Sequence, residues 1–283
     1  MKVMVVGSGG REHALVRSLK RSPRVTALYC APGNAGIAED ARCLASDLSA
    51  ASLVALAREH RVALTVIGPE APLVAGVADA FAAAGLRVFG PNRAAARLEG
   101  SKAFAKAFMA RHGVPTAEHR SFTDLMAALL HLDEQLERVG LPLVIKDSNL
   151  AAGKGVSVAY TRAAAQTALE NILGAPEGGE VVIEDFLSGQ EVSLLLVTDG
   201  EDYALLPLAQ DYKQAFDGDA GPMTGGMGAV APAPVLSAAE LSAVRASIVE
   251  PTLAGLRAEG MRYRGVLFIG LMVTPEGVRV LEH

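Results

Sequence analysis

The chain has 283 residues, of which 51% are hydrophobic and 20% are charged, and its formal net charge is −5. These values are typical of a soluble globular protein of two or three domains and exclude a disordered chain. The balance of charge gives no electrostatic basis for binding nucleic acid or an anionic membrane, and no apolar run approaches the roughly 20 residues of a membrane span. Two cysteines, Cys30 and Cys43, predict reduced thiols in a cytoplasmic protein, with a single bridge as the alternative.

Residues 1–95 alternate between short apolar runs and helical patterns. The runs "KVMVVG", "VTALYCA", "LTVIG" and "RVFG" predict strands, and helices are predicted over 12–22, 49–60 and 74–84. Strands that alternate with helices predict a small parallel sheet, and the ligand loops of such a sheet follow its strand ends.

The rest of the chain mixes helices with strand pairs. "EGSKAFAKAFMARHGVPT" predicts one helix that ends at Gly113 and Pro115, and further helices are predicted over 124–138, 163–173 and 238–259. Strands are predicted in "GEVVIEDFL", "QEVSLLLVTDG", "RGVLFIGLMVT" and "GVRVLE". The glycine-rich residues 217–234 predict a long functional loop.

The stretch "IKDSNLAAGKGVSVAY" (145–160) has the composition of a phosphate-binding loop. A Walker loop is excluded because Gly153-Lys154 is followed by Gly155 and because both flanks are strand-like. The stretch therefore predicts a hairpin with a glycine-rich tip.

The first strand runs into "VVGSGGREHAL", which has the start of a dinucleotide fingerprint. The third glycine of that fingerprint would fall at Glu12, and no ribose-binding acid follows the second strand, so a dinucleotide site is excluded. Gly9, Gly10 and Arg11 still predict a site for one phosphate monoester at a helix N-terminus, with a plain turn as the alternative.

Two more glycine-rich loops follow the second and third strands. "APGNAG" contains Gly33 and Asn34, and "IGPEAPLVAG" contains Gly68, Pro69 and Glu70. Three such loops at one sheet edge predict a polar pocket for a phosphorylated, hydroxyl-rich metabolite.

Lysines and carboxylates of the later segments suggest a nucleotide site. Lys146 ends an apolar strand, where its charge needs a partner, and "VVIEDFLSGQEVSL" offers Glu184 and Glu191 beside an apolar turn. These features fit a purine slot, although the two acids fit a structural role as well.

Eight motifs carry a resemblance: "VGSGGREHAL", "APGNAG", "IGPEAPLVAG", "GSKAFAK", "IKDSNLAAGKGV", "IEDFLSGQEVSL", "GPMTGGMGA" and "GVLFIGLM". Their order resembles the glycinamide ribonucleotide synthetase (phosphoribosylamine–glycine ligase) family of ATP-grasp enzymes over the whole chain. The resemblance implies an α/β fold with a parallel-sheet domain over 1–97, an ATP-grasp body over 98–118 and 187–283, and a small mobile lid over 119–186. The body would be incomplete.

The resemblance also implies the reaction, in which ATP activates the carboxylate of glycine and the amine of 5-phosphoribosylamine displaces phosphate, with Mg²⁺ or Mn²⁺ present. It assigns phosphoribosylamine to Gly9, Gly10, Arg11, Glu12, Gly33, Asn34, Gly68, Pro69 and Glu70. It assigns ATP to Lys102, Lys146, Gly153, Lys154, Gly155, Glu184, Asp185, Phe186, Leu187 and Glu191. It assigns contact with the reacting groups to Asp211, Lys213, Thr224, Gly225 and Gly226, and it assigns the metal to Glu282. Such an enzyme would be a monomer or weak homodimer.

The sequence departs from the family pattern at three places. Asn149 stands where the hairpin normally has glycine, and because asparagine tolerates a positive φ we expect the turn to be retained. Tyr212, Gln214 and Met223 replace common residues near Lys213. The chain stops at His283, before the stretch that supplies a second metal ligand.

Three functions follow from these observations. The leading one is the ligase, and the alternatives are an ATP-grasp ligase for another carboxylate and a fragment that binds nucleotide but turns over poorly.

Overall fold

The computed structural model describes residues 1–150, 155–175, 178–218 and 220–283, with the backbone alone at 222, 223 and 225. Two compact units divide the chain. The first comprises Met1–Arg97 with Thr198–Gly200 and Gly260–Val266, and the second comprises Leu98–Val197, Glu201–Glu259 and Leu267–His283. In the described ranges, every helix is too short or too polar to cross a bilayer.

The elements are numbered in chain order. The helices are α1 (Gly10–Lys20), α2 (Ala50–Glu59), α3 (Glu70–Val74), α4 (Val77–Ala83), α5 (Arg93–Gly100), α6 (Lys102–Arg111), α7 (Leu125–Arg138), α8 (Arg162–Leu173), α9 (Ala238–Val244) and α10 (Glu250–Ala258). The strands are β1 (Lys2–Gly7), β2 (Ala27–Pro32), β3 (Arg42–Cys43), β4 (Leu64–Ile67), β5 (Val88–Phe89), β6 (His119–Phe122), β7 (Leu143–Asp147), β8 (Val156–Ala159), β9 (Val181–Asp185), β10 (Gln190–Thr198), β11 (Tyr203–Leu205), β12 (Gln210–Phe216), β13 (Ala220–Val230), β14 (Gly265–Thr274) and β15 (Gly277–Glu282).

The first unit is built on a parallel five-stranded sheet in the order β3-β2-β1-β4-β5. Successive side chains of a strand point to opposite faces, so Met4 and Val6 belong to one buried cluster while Val3 and Val5 belong to another. Both faces of β1 are therefore covered, which explains its continuous apolar run. The predicted parallel sheet is confirmed.

The second unit contains three sheets. The four-stranded sheet β6-β9-β7-β8 is covered by α7 and α8, and its apolar core includes Leu132, Ile145 and Ile183. A second sheet has the order β11-β10-β14-β15, and β12 pairs with β13 in a two-stranded ribbon. The predicted hairpin is confirmed, because β7 and β8 are antiparallel and the Asp147 N–H donates to the Gly155 carbonyl at 2.8 Å.

Two predictions about secondary structure were wrong. The predicted single helix, which was to begin near Glu99 and end at Gly113 and Pro115, is divided at Ser101. Ser101 is extended (φ −146°), and its side chain caps α6 by accepting from the Phe104 N–H. The predicted loop over 217–234 contains β13, which pairs with β12. The sequence did not predict this strand because a glycine-rich run has few side chains that could show an alternating pattern.

Two further helices differ in detail. The prediction over 74–84 becomes α3 and α4, separated at Gly76, whose φ of +91° breaks the helix. The prediction over 238–259 is continuous but includes a π-helical segment at Arg245–Val249.

Both cysteines are free thiols, as the first interpretation of the sequence expected. Cys30 is fully buried, and burial raises its pKa to about 12. It is therefore an unreactive core residue rather than a nucleophile.

Candidate active site

Three loops meet at the carboxyl edge of the parallel sheet in the first unit. Gly7 at the end of β1 pairs with Pro32 at the end of β2, and Val6 pairs with Ile67 at the end of β4. The Asn34 side-chain amide donates to the Ser8 carbonyl at 2.7 Å and accepts from the Ile37 N–H at 2.8 Å. The structure thus brings the predicted loops together and joins two of them by hydrogen bonds.

The Glu12 side chain fills the space between these loops. Its carboxylate is 4% exposed, accepts from the Gly9 N–H at 2.8 Å and pairs with Arg11 at 3.2 Å. A side chain at Gly68 would approach the Glu12 Cγ to 2.5 Å, and one at Gly7 would approach it to 2.6 Å. Glycine is needed at both positions because Glu12 fills the space between the loops.

Arg11 and Glu70 lie on the accessible side of the same loops. They pair at 3.2 Å, and the Arg11 side chain is 59% exposed. Burial lowers the pKa of Arg11, but hydrogen bonds and charge from Glu12 and Glu70 outweigh it and raise the pKa. A permanent cation beside loop N–H groups suits a phosphate monoester.

Replacing Glu12 with alanine is expected to lower the free energy of unfolding by ~1–3 kcal/mol, because the Gly9 N–H loses its acceptor and a buried space opens. Glu12→Gln should lose less, since its amide oxygen still accepts. Urea unfolding followed by circular dichroism measures both, with the exposed Glu39→Ala as the control. An Ala variant as stable as that control would contradict the fastening role.

The second unit holds a buried cluster of two lysines and one carboxylate. Lys106 from α6 and Lys146 from β7 both contact the same oxygen of Glu184, Oε2, at 3.0 and 3.1 Å. Lys146 also donates to the Leu281 carbonyl at 3.0 Å, and Lys106 donates to the Thr116 hydroxyl at 2.6 Å. The sequence predicted that the Lys146 charge needs a partner, and the structure shows that this partner is Glu184.

Lys106 was not predicted as a site residue. It is 2% exposed, and burial lowers its pKa to about 8, with the Glu184 charge opposing and the Lys146 charge adding to the shift. Two features of the sequence could have indicated its burial. Lys106 stands inside the apolar run "AFAKAF", and it follows Lys102 by four residues, which places both on the same helix face.

Lys102 begins α6 and is fixed to the end of β7. Its backbone N–H donates to the Ser148 carbonyl at 2.9 Å, and its ammonium donates to the Asn149 carbonyl at 3.2 Å. Burial lowers the pKa of Lys102, which the Glu282 charge opposes. Lys102 thus lies at the base of the hairpin.

Asn149 follows β7 at the start of the hairpin turn. The Asn149 N–H donates to the Asp147 carboxylate at 2.9 Å, whereas positive φ among described non-glycine residues occurs at Leu48 and Arg61. Asn149 does not use the positive φ that asparagine tolerates, and an Asx turn formed by Asp147 shapes this position instead. Gly153 and Lys154 lie outside the described residues, and Gly155 closes the hairpin.

A second group of predicted residues surrounds Lys213 on β12. Its ammonium lies 3.6 Å from Glu191 and 3.8 Å from Asp211. Burial lowers the pKa of Lys213, but Glu191, Glu282 and Asp211 outweigh it and raise the pKa. Thr224 on β13 donates to the Lys213 carbonyl at 2.8 Å and accepts from the Gly226 N–H at 3.0 Å, which brings the glycine-rich run of Gly225 and Gly226 to this group.

The connection after β9 is partly exposed. Asp185 pairs with Arg138 at 2.5 Å, and the Phe186 ring is 40% exposed. Leu187 is half-buried beside it. An exposed ring and an aliphatic side chain next to buried charges form a surface that suits a flat heterocycle.

The charge of Glu282 acts both on the lysines of α6 and on Lys213 of β12. Its charge opposes the lowered pKa values of Lys102 and Lys106 and supports the raised pKa of Lys213. In the described ranges, no three His, Cys, Asp or Glu side chains form a metal cluster. A single carboxylate beside several lysines still fits Mg²⁺, which binds through one or two carboxylates plus substrate phosphates.

The fold and this site place the chain in the ATP-grasp class. A solved phosphoribosylamine–glycine ligase from Thermotoga maritima matches with a TM-score of 0.83 and 33% identity over all of this chain and 68% of its own. A biotin carboxylase from Campylobacter jejuni matches with a TM-score of 0.75 at 16% identity, covering 99% of this chain and 64% of that one. The second likeness concerns the fold alone.

The particular family is given by sequence. The phosphoribosylglycinamide synthetase N domain matches residues 1–99, and the ATP-grasp (A) domain of the same synthetase matches residues 100–283. The chain belongs to the phosphoribosylglycinamide synthetase family, as its motifs suggested.

Curated relatives are named phosphoribosylamine–glycine ligase. One from Ralstonia nicotianae is 52% identical over 242 residues, covering 84% of this chain and 56% of the relative. One from Pseudomonas aeruginosa is 47% identical over 289 aligned positions, covering 100% and 66%. The chain thus spans between about half and two thirds of these relatives.

Proposed function

We propose that the protein acts as a phosphoribosylamine–glycine ligase, joining glycine to 5-phosphoribosylamine with cleavage of ATP to ADP and phosphate. One observation carries this proposal: Lys102 and Lys146, whose charges suit phosphate groups, lie near Glu184 and Glu282. They do so in a chain whose whole length matches the family. The partners are small molecules, and we extend the proposal to a cytoplasmic monomer or weak homodimer.

The proposed reaction has two steps. A carboxylate oxygen of glycine attacks the γ-phosphorus of ATP, the bond to the β-phosphate oxygen breaks, and ADP leaves. The amine of phosphoribosylamine then attacks the acyl carbon, loses a proton and expels phosphate. The protein contributes alignment and charge stabilisation, and alignment alone supplies roughly 7–11 kcal/mol in well-oriented reactions.

Each predicted residue of the second unit keeps a proposed role. Lys102, Lys146, Lys154 and the Gly153 to Gly155 tip would bind the ATP phosphates, residues 184–187 would surround the base, and Glu191 would bind the ribose. Asp211, Lys213 and residues 224–226 would surround the reacting groups. A divalent cation, Mg²⁺ or Mn²⁺, would be held by Glu282 with the phosphates and would neutralise their charge.

The first unit would bind phosphoribosylamine. Arg11 and the N-terminus of α1 would hold its phosphate, while Asn34 and Glu70 would contact hydroxyl groups or the amine. Gly10, Gly33, Gly68 and Pro69 would leave room for the backbone to approach the ligand. We also propose the division into a first domain over 1–97, a body over 98–118 and 187–283, and a mobile lid over 119–186, which would exclude water from the acyl phosphate.

The test is release of ADP in a mixture of ATP, Mg²⁺, glycine and freshly generated phosphoribosylamine, with each component omitted in turn. We expect release to require all four and to fall at least tenfold in Lys146→Met, whereas the exposed Glu39→Ala should match the unchanged protein. Release that ignores glycine would exclude the ligase. Tight ATP binding without turnover would support the alternative of a nucleotide-binding fragment.

A further inference from the structure

Strand β15 contains a β-bulge directly before Glu282. Leu271 of β14 pairs with Val280, and the next pair along the ladder is Gly270 with Glu282. Two steps along β15 thus match one step along β14, and Leu281 is the extra residue. Bulges bend a strand and re-aim the side chains beside them, and they are over-represented next to active sites. The direction of the Glu282 carboxylate therefore depends on how this bulge is held.

Two side chains from other elements hold the backbone of the bulge. The Thr116 hydroxyl donates to the Val280 carbonyl at 2.6 Å, and the Lys146 ammonium donates to the Leu281 carbonyl at 3.0 Å. The Val280 N–H also donates to the Pro115 carbonyl at 2.8 Å. The bulge is thus fixed by groups that lie outside the β14–β15 pair.

The Thr116 hydroxyl is itself held in one orientation. It accepts from the Lys106 ammonium at 2.6 Å, so its single proton is left for the Val280 carbonyl. Lys106 is 2% exposed and pairs with Glu184 at 3.0 Å. A chain of polar contacts, part of it charge-assisted, therefore runs from Glu184 through Lys106 and Thr116 to the bulge.

Glu282 lies within electrostatic reach of several lysines of the second unit. Its charge acts on the pKa values of Lys102, Lys106 and Lys213. It is also the carboxylate that holds the divalent cation in the proposed function. A carboxylate that binds a metal depends on the contacts that orient it, and loss of such a contact typically lowers metal affinity roughly 10- to 100-fold.

We propose that Thr116 is a positioning residue for the divalent cation, which fixes the bulge in β15 and thereby aims the Glu282 carboxylate. The proposal rests on the proposed function, in which Glu282 holds the cation. Thr116 acts through the backbone of β15 and touches neither the cation nor the nucleotide. Without its hydroxyl, the Val280 carbonyl loses a donor and Lys106 loses an acceptor, so the end of β15 is free to shift.

The experiment measures the Kd of Mn²⁺ by electron paramagnetic resonance of the free ion, with the full 283-residue chain in excess over ADP. Thr116→Val, which has nearly the same shape but no hydroxyl, should weaken Mn²⁺ binding about 10-fold or more. Thr116→Ser, which keeps the hydroxyl, should stay within about threefold of the unchanged protein. The Kd of ADP without metal, from titration calorimetry, should change by less than about twofold in both variants, because Thr116 does not contact the nucleotide.

The matched control is Thr65→Val in the first unit. Thr65 is 1% exposed, and its hydroxyl has no hydrogen-bond partner among the described residues, so loss of that hydroxyl should leave Mn²⁺ binding unchanged. Mn²⁺ binding as tight in Thr116→Val as in this control would overturn the proposal. Equal weakening of Mn²⁺ and of metal-free ADP would also overturn it, since that result indicates a general structural role.

A further variant separates this proposal from the proposed function. Glu282→Gln should weaken Mn²⁺ binding at least as much as Thr116→Val does. If it binds Mn²⁺ as the unchanged protein does, Glu282 is not a metal ligand, and the proposed function loses this assignment together with the positioning role. A weakened Glu282→Gln beside an unaffected Thr116→Val overturns the positioning role alone. If circular dichroism shows that Thr116→Val does not fold, Thr116→Ala makes the same test with a smaller side chain.

Discussion

Glu184→Ala is expected to lower the free energy of unfolding by ~3–5 kcal/mol, because it leaves two buried ammonium groups without their shared anion. Lys106 and Lys146 both contact Oε2 of Glu184, and both lysines are buried. Removal of one partner from a buried ion cluster costs more than the cluster contributes, since the remaining charge stays desolvated.

Urea unfolding measured by circular dichroism at 222 nm tests this, since the chain has no tryptophan. The control is Asp133→Ala, which breaks an exposed pair with Arg162 and should leave the midpoint unchanged. A Glu184→Ala midpoint equal to that of the control would show that the lysines are not desolvated.

The loss should also depend on pH. Burial lowers the folded-state pKa of Lys106 to about 8, below its value in the unfolded chain. Without Glu184 that pKa falls further, so the variant's folded state binds fewer protons near neutral pH than the unchanged protein does. Stability rises with pH where the unfolded state binds more protons, so the deficit of Glu184→Ala should shrink between neutral pH and about pH 9.

Gly189→Ala is expected to cost ~3 kcal/mol, at the upper end of what an added methyl group costs in a filled space. Gly189 lies between β9 and β10, where a Cβ would overlap the Val273 carbonyl oxygen and lie 2.9 Å from its carbon. The obstacle is backbone of β14, which cannot rotate away as a side chain can. The same urea experiment measures the loss.

The matched control is Gly10→Ala. A Cβ at Gly10 meets nothing within 4 Å, and this residue begins α1. Alanine has the higher helix propensity, so this variant should be as stable as the unchanged protein or more so. If Gly189→Ala were equally stable, β14 would have to shift away from the connection after β9.

The local pattern of apolar and polar residues determined much of the fold of this protein. The alternation of short apolar runs with helical periods predicted the parallel sheet, and the β-branched flanks of 145–160 predicted the β7–β8 hairpin. Both succeeded because the period of buried side chains follows from the geometry of one element. The family followed from eight motifs in order, and the comparisons confirm it.

The tertiary structure alone decided which charges meet. Lys106 has the sequence context of an ordinary helical lysine, and its burial arises only when α6 packs beside Thr116 and against Glu184, which comes from a distant segment. The glycine-rich β13 likewise becomes a strand through its pairing with β12. Burial of Lys106 depends on Glu184, far along the chain, and β13 depends on backbone hydrogen bonds to β12 that its glycines do not signal. Neither appears in a local period of side chains, whereas the periods that built the sheets and helices are local.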